Sequence, residues 1–229
     1  MFGFKLILSI SYMSLKSGLI LIFVFASLFH YCFKLNPYLL GFVVYMNQVI
    51  EVINRRRSWR SYDERQVPKE LVQQCIDAAN EAPSGMNGQP WRFVVIQEAS
   101  MRRRLFDAAY PKWRKLYERL MSNPETAVDA EKYGRMEDPV FYKAPTVIYV
   151  IGTRAIDCAL ACENMMIAAE SLNLANCYIV FGSMIKDDPE VMKTLNLGEK
   201  EEIYGPILLG YPKGKPEIPQ KKPAKIIWV

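Results

Sequence analysis

Two short stretches of this chain carry residue types from which a binding site can be assembled. The first is Ala82-Pro83-Ser84-Gly85-Met86-Asn87-Gly88-Gln89-Pro90-Trp91. Its prolines and glycines exclude a regular helix or a central strand. Ser84, Asn87 and Gln89 stand between them, short polar side chains suited to the donors and acceptors of a flat polar heterocycle. Such a loop is costly to bury for packing alone, because its backbone amides need partners. The second stretch is the basic run Arg55-Arg56-Arg57-Ser58-Trp59-Arg60, about one helix upstream. Fixed guanidinium charges and one hydroxyl suit a phosphate. Taken alone, the run reads as a solvated charged loop or a membrane-surface patch. Taken together, the two stretches read as one split site for a phosphorylated, ring-bearing cofactor.

Composition removes several other chemistries. The net charge of +5 over 229 residues is modest, with no aromatic-basic stripe, so no nucleic-acid partner is expected. The five cysteines, Cys32, Cys75, Cys158, Cys162 and Cys177, are odd in number and lack CxxC spacing, which argues against a zinc ribbon or an iron–sulfur cluster. Cys158 and Cys162 lie four apart on an expected helix and read as small apolar core residues before a redox pair. Reduced thiols in a cytoplasmic setting fit best. The sole histidine, His30, sits in the apolar N-terminal region, which leaves no His-based triad or metal site for the remainder. Chemistry must therefore come from a cofactor or from other groups.

The elements that position these stretches begin after about residue 45. Residues 1–45 differ in kind. Ser17 to Phe33 is uncharged and mostly apolar, at the lower length limit for a membrane span. Three readings fit: a membrane anchor, an uncleaved signal-like sequence, or upstream sequence from a mis-assigned start, with Met46 as the true beginning. Asn47 to Asn54 then reads as an amphipathic helix that delivers the chain to the basic run. Val67-Pro68-Lys69-Glu70 starts the next helix, with Pro68 at its first position and Leu71, Cys75, Ile76 and Ala79 as its buried stripe. Trp91 to Gln97 is a strand, with Trp91 packed behind the polar loop. Ser100 to Met121 is helical, and the polar, acidic stretch 122–138 reads as a surface excursion. Tyr110, Trp113, Tyr117 and Tyr133 line a pocket or pack a lid. Strands follow at 146–151 (within the stretch 144–152), 177–181 and 207–209, alternating with helices at 156–172 and 187–197, the latter opened by Asp187-Asp188-Pro189. No internal repeat, no GxGxxG after a strand and no P-loop is present.

At this point the sequence resembles the FMN-dependent nitroreductases. That family opens with Arg-Arg-Ser-x-Arg and continues, one helix later, with Pro-Ser-x-x-Asn-x-Gln-Pro-Trp. The counterparts here are Arg56-Arg57-Ser58-Trp59-Arg60 and Pro83 to Trp91, with Gly210-Tyr211-Pro212 near the end. The resemblance runs from about Met46 to the C-terminus.

It implies an α+β fold: a mixed, mainly antiparallel sheet flanked by helices, in an intertwined homodimer with FMN at the interface. Arg56, Arg57, Ser58 and Lys221 would hold the phosphate. Lys221 stands where the family has Arg or Lys, and a lysine keeps the charge without the bidentate fork. Arg60 would reach the ring and stabilise the negative charge of reduced flavin. Pro83, Ser84, Gly85, Asn87 and Gln89 would frame the ring and ribityl chain, some from the partner subunit. The backbone around Val180 to Gly182 would approach the flavin, and Ile226 to Val229 would cross to the neighbouring subunit's sheet. The chain lacks a dedicated dinucleotide fold, so NADH or NADPH would stack directly on FMN and reduce it. A small acceptor such as a nitroaromatic or quinone would follow in ping-pong order. A dehalogenase-like enzyme of the iodotyrosine branch is the nearest alternative. It has Thr-Glu where this chain has Gly88-Gln89. A non-catalytic flavin sensor or store is the alternative of another class. The expected location is cytoplasmic, with membrane contact if residues 1–45 are a real anchor.

Overall fold

The structure, a computed structural model, describes residues 47–185 and 188–229. The readings of residues 1–45, and of Asp187 as part of a helix start, lie outside the described residues.

The centre of the fold is the run Thr146-Val147-Ile148-Tyr149-Val150-Ile151-Gly152. Every residue of it is buried, and it forms strand β2 (Thr146–Gly152). A strand of β-branched and aromatic residues with no polar face must be covered on both sides. Strands β1 (Trp91–Ile96), β3 (Ala175–Tyr178) and β4 (Glu202–Gly210) join it in the order β1-β2-β4-β3, each pair antiparallel. A lone parallel bridge, Ser58 to Asn176, adds the basic run to the β3 edge.

The two-residue period of β2 sorts the core into halves. Val147, Tyr149 and Ile151 face helices α3 (Ala99–Met121) and α6 (Pro189–Leu195), packing with Leu105, Ala109, Trp113 and Leu195. Ile148 and Val150 face the opposite side with Ile207 and Leu209. There they meet Cys75 and Ala79 of α2 (Lys69–Asn80) and Ala161 and Met165 of α5 (Ala155–Ser171). Each large side chain buried this way contributes about 1.5–3 kcal/mol. The described cysteines Cys75, Cys158, Cys162 and Cys177 are all free and buried, as small apolar core residues should be.

Helix α1 (Gln48–Arg55) forms as its periodicity indicates. In α2 the first helical residue is Lys69, with Pro68 as its cap, and the fully buried stripe runs through Val72, Cys75 and Ala79, with Leu71 and Ile76 only partly covered. The stretch taken as a surface excursion contains a helix, α4 (Pro124–Gly134). Asn123 caps it by accepting from Glu125 N at 3.0 Å, and Pro124 takes the first turn, where its missing N–H costs nothing. High polarity hid a regular start signal. Strand β3 begins two residues earlier than expected, and Phe181–Ser183 closes into a 3₁₀ turn instead of extending it. Strand β4 is longer than its apolar centre, because Glu202 to Pro206 continue it across from β2. Among the described residues no helix is long and apolar enough to cross a membrane.

Candidate functional site

The basic run is fixed at both ends. Arg55 closes α1 by donating from Nε to Glu170 Oε1 at 2.7 Å and from Nη2 to Glu170 O at 3.0 Å, which ties α1 to α5. Trp59 N then donates to Asn176 O at 2.9 Å. Arg57 folds back so that Nη1 reaches Asn54 O at 2.6 Å and Arg56 O at 2.7 Å.

Arg60 points inward, into a cavity of about 330 Å³. Tyr142 and the segment from Cys177 to Phe181 form one wall of this cavity; Trp113, Tyr117 and Tyr133 form the other. Helix α3 supplies the second wall because its aromatic residues recur three and four apart on one face. Tyr110, Trp113 and Tyr117 lie in a row with ring centroids 5.5 and 5.1 Å apart. Trp113, Tyr117 and Tyr133 therefore line a pocket, and Tyr110 packs behind it. Burial opposes the charge on Arg60, but the neighbouring Tyr133, Cys177 and Tyr142 together outweigh it and the pKa rises. The guanidinium is permanently charged. Burial drives the Tyr142 phenol up to about 12, with Arg60 working against the shift. Its guanidinium carbon lies 6.0 Å from the centre of the Tyr142 ring. Glu217 reaches Arg60 at 3.8 Å and Lys132 Nζ at 2.8 Å, joining the C-terminal segment to α4.

The polar loop is built differently. Gly85–Asn87 form a single 3₁₀ turn. Met86, Asn87 and Gln89 all take positive φ values, 55°, 52° and 42°, which non-glycine residues adopt rarely and at functional sites. Ser84 Oγ accepts from Gln89 N at 3.0 Å, and Gln89 Nε2 donates to Asn87 Oδ1 at 3.1 Å. Met86 at the tip is 99% exposed, an unusual place for a large apolar side chain. Trp91 is buried behind the loop, its Nε1 donating to Asn80 Oδ1 at 3.1 Å. Beneath the loop lies Arg154, whose Nη1 donates to Gly85 O at 3.1 Å.

Within one chain the two halves do not meet. The basic run joins the sheet at Asn176, level with Leu209 and Thr146. The polar loop enters it at Trp91, level with Gly152. Those positions are opposite ends of β2, roughly 20 Å apart along the strand, and three strand spacings, about 14 Å, apart across the sheet. Arg60 and Val180 share the cavity, with Arg56, Arg57 and Ser58 along the same sheet edge. Pro83, Ser84, Gly85, Asn87 and Gln89 lie at the far end, and Lys221 is exposed on the terminal segment. Sequence reasoning gave no role to Tyr142, Cys177 or Arg154. The glycines at 85 and 88 were the only sign that something approaches the loop closely.

A model of the nitroreductase family matches residues 53–211, more than half of the chain. The chain belongs to the nitroreductase family. Among solved structures it is similar to a nitroreductase with bound FMN from Bacteroides fragilis, at 29% identity and a TM-score of 0.62, covering 80% of this chain and 100% of that one. It is 25% identical to an FMN reductase [NAD(P)H] of Bacillus subtilis over 77% of this chain and 72% of that protein. It is 24% identical to an iodotyrosine deiodinase of Thermotoga neapolitana over 77% of this chain and 96% of that one. The α+β fold expected from the two motifs is the nitroreductase fold.

Proposed function

We infer that this nitroreductase-family chain is an FMN-dependent oxidoreductase that passes electrons from NAD(P)H to a small acceptor such as a nitroaromatic or a quinone, in ping-pong order. The observation that carries the reading is Arg60, a permanent cation set in the wall of an aromatic cavity beside Val180. The residues present fit FMN. Guanidinium groups at the end of α1 suit its phosphate, and the exposed Asn87 and Gln89 side chains of a strained loop suit its polar ring edge. FMN, when bound, accepts hydride from the nicotinamide and delivers two electrons to the acceptor.

The chain's own part is grip, charge and shape. Arg56, Arg57 and Ser58 bind the phosphate, with charge-assisted hydrogen bonds stronger than neutral ones. Arg60 places positive charge where negative charge develops during reduction, and needs no rearrangement to do so. Trp113, Tyr117 and Tyr133 hold a flat acceptor and exclude water from it. Neutral Tyr142 keeps Arg60 oriented without neutralising it.

The separation of the two halves supports a homodimer in which the partner subunit supplies the loop Pro83 to Gln89 to this chain's basic run. The apolar residues left on the surface fit the same assembly. Val49, Ile50 and Ile53 of α1 are 45–58% exposed, and Ile226, Ile227, Trp228 and Val229 are exposed on the terminal segment. Docking that segment on the partner would draw Lys221 in from solvent, toward a phosphate. The free, buried cysteines support a reducing, cytoplasmic setting.

Steady-state oxidation of NADH and NADPH by purified, FMN-loaded protein, with and without menadione or a nitrobenzoate, tests the reading. Acceptor-dependent turnover with parallel double-reciprocal plots is the expected result. No turnover with any acceptor would assign a storage or sensor role instead. Loss of iodide from iodotyrosine, with no nitroaromatic reduction, would assign the dehalogenase branch.

A further inference from the structure

Arg154 follows β2, at the point where the chain turns into α5, and sequence reasoning gave it no role. Its side chain reaches back under the polar loop. Nη1 donates to Gly85 O at 3.1 Å. Nε lies 2.9 Å from Asp157 Oδ2, an ion pair whose geometry falls outside that of a hydrogen bond. Asp157 is only 9% exposed, in the first turn of α5, where a carboxylate is favoured by the helix dipole. A nearly buried carboxylate beside a half-exposed guanidinium holds that guanidinium in place.

The loop is shaped to that group. A Cβ at Gly85 would sit 2.9 Å from Arg154 Nη1, and one at Gly88 would sit 2.2 Å from Nη2. The backbone at Gly88 has φ −75° and ψ −16°, which alanine adopts without strain. A side chain at 88 would therefore have to displace the guanidinium, while the backbone itself would accept it. The next nearest atom, Gly85 O at 3.2 Å, asks only a small shift. Behind this contact the loop's end is clamped to β2, with Thr153 N donating to Pro90 O at 3.1 Å. The turn between closes on its own hydrogen bonds, Asn87 N to Ser84 O at 3.0 Å and Gly88 N to Gly85 O at 3.1 Å, and Arg154 adds a side-chain contact to it from beneath.

We propose that Arg154, held by Asp157, is the positioning residue of the polar loop, fixing the curvature of Ser84 to Gln89 so that its polar groups face a flavin. This rests on the reading of the loop as part of the FMN site. The guanidinium does two things that lysine cannot do together: it spans Asp157 and the Gly85 carbonyl, and it sets Nη1 and Nη2 against two glycines.

The test is a double-mutant cycle on the full-length chain, with FMN affinity read by quenching of flavin fluorescence and folding by thermal melting. Arg154→Ala is expected to raise the FMN dissociation constant by about tenfold or more, with Arg154→Lys in between. Gly88→Ala in the native background is expected to weaken FMN by a similar factor. In the Arg154→Ala background, Gly88→Ala is expected to cost no more than about twofold, because the clashing group is gone. Additive effects of the two substitutions would overturn the proposal. So would an unchanged affinity in Arg154→Ala while Asn87→Ala weakens FMN, which would leave the loop's role standing without Arg154. If neither Asn87→Ala nor Arg154→Ala changes FMN affinity, the reading of the loop itself fails, and the proposal with it. Should Arg154→Ala not fold, Arg154→Lys and Gly88→Ala carry the same cycle.

Discussion

Tyr149, on the central strand, donates a 2.8 Å hydrogen bond from its hydroxyl to the carbonyl of Gly182, in the turn behind Val180. Tyr149 is completely buried, and burial holds its phenol well above its usual pKa, so it remains a neutral donor. Gly182 is pinned from the other side too. A Cβ there would meet Pro206 at 2.6 Å and Phe141 at 2.9 Å. The backbone at Val180 to Gly182 is therefore referenced directly to the sheet, although it belongs to a short turn at its edge.

Tyr149→Phe keeps the ring and removes the donor, leaving a buried carbonyl unpaired. The expected cost is about 1–3 kcal/mol of stability. Because the freed segment borders the cavity, kcat for NAD(P)H oxidation should fall more than KM rises. Thermal melts and steady-state kinetics check this. Unchanged melting and kinetics would show that the turn is held by other contacts.

Arg57 and Arg60 stand apart in the structure, and their variants should separate as well. Arg57 sits at the end of α1, away from the cavity, so Arg57→Ala should weaken FMN roughly 10- to 100-fold, the loss of one charge-assisted hydrogen bond, with little change in potential. Arg60 lines the cavity, and Arg60→Ala should lower the flavin midpoint potential more than it weakens binding. FMN titration and potentiometry on both variants decide the matter. A potential that shifts with Arg57 and not with Arg60 would reverse the two roles.

Acid sensitivity should centre on Glu201. Arg92 of β1 binds it through Nη2 at 2.7 Å and also donates to Leu195 O and Asn196 O at 2.8 Å, tying β1 to the end of α6. Hydrogen bonding from Arg92 lowers the Glu201 pKa from 4.5 to about 2. A carboxyl with a depressed folded-state pKa stabilises the fold above its unfolded value. That contribution is lost as the pH falls from 4.5 toward 2. Allowing for solvent screening, it is on the order of 1–2 kcal/mol. Glu201→Gln should therefore lower the melting temperature at neutral pH and flatten its dependence on pH below about 4.5. Melting curves at several pH values measure both effects, and parallel curves for the two proteins would refute the assignment.

Removal of the apolar end, Ile226 to Val229, should loosen the proposed dimer. Light scattering is expected to report a dimer for the full-length chain and a smaller mass, with weaker FMN binding, for the shortened one. The same dimer mass in both would remove these residues from the interface. A chain starting at Met46 should retain dimerisation and FMN, since every cofactor motif follows that residue.

The regular core was legible because its signals are local: a continuous apolar run or an apolar period. The uninterrupted apolar β2 and the amphipathic α1 announce themselves locally. So did the two motifs, since their residue types carry charge and turn chemistry that packing alone does not call for. The structure added what depends on distant partners. Ser122 to Asp138 conceals a helix because its start signal, Asn123-Pro124, precedes a polar sequence with little apolar stripe. Glu202 to Pro206 is strand only because β2 lies opposite. The pairing of Arg154 with Gly85 and Gly88 spans more than sixty positions in sequence, so spacing cannot reveal it. The opposed placement of the two motifs is likewise a property of sheet order: Trp91 lies on one edge strand and Asn176 on the other.

The central claim is that this nitroreductase-family chain binds FMN and cycles it between NAD(P)H and an acceptor. The most direct measurement is an anaerobic spectral titration of the purified, flavin-loaded protein, with the flavin identified after denaturation. The account predicts that FMN is released without a covalent link, that NADH or NADPH bleaches the bound flavin's visible band, and that a quinone or nitroaromatic restores it. A flavin that remains attached on denaturation, FAD in place of FMN, or a visible band that neither nicotinamide bleaches would contradict it.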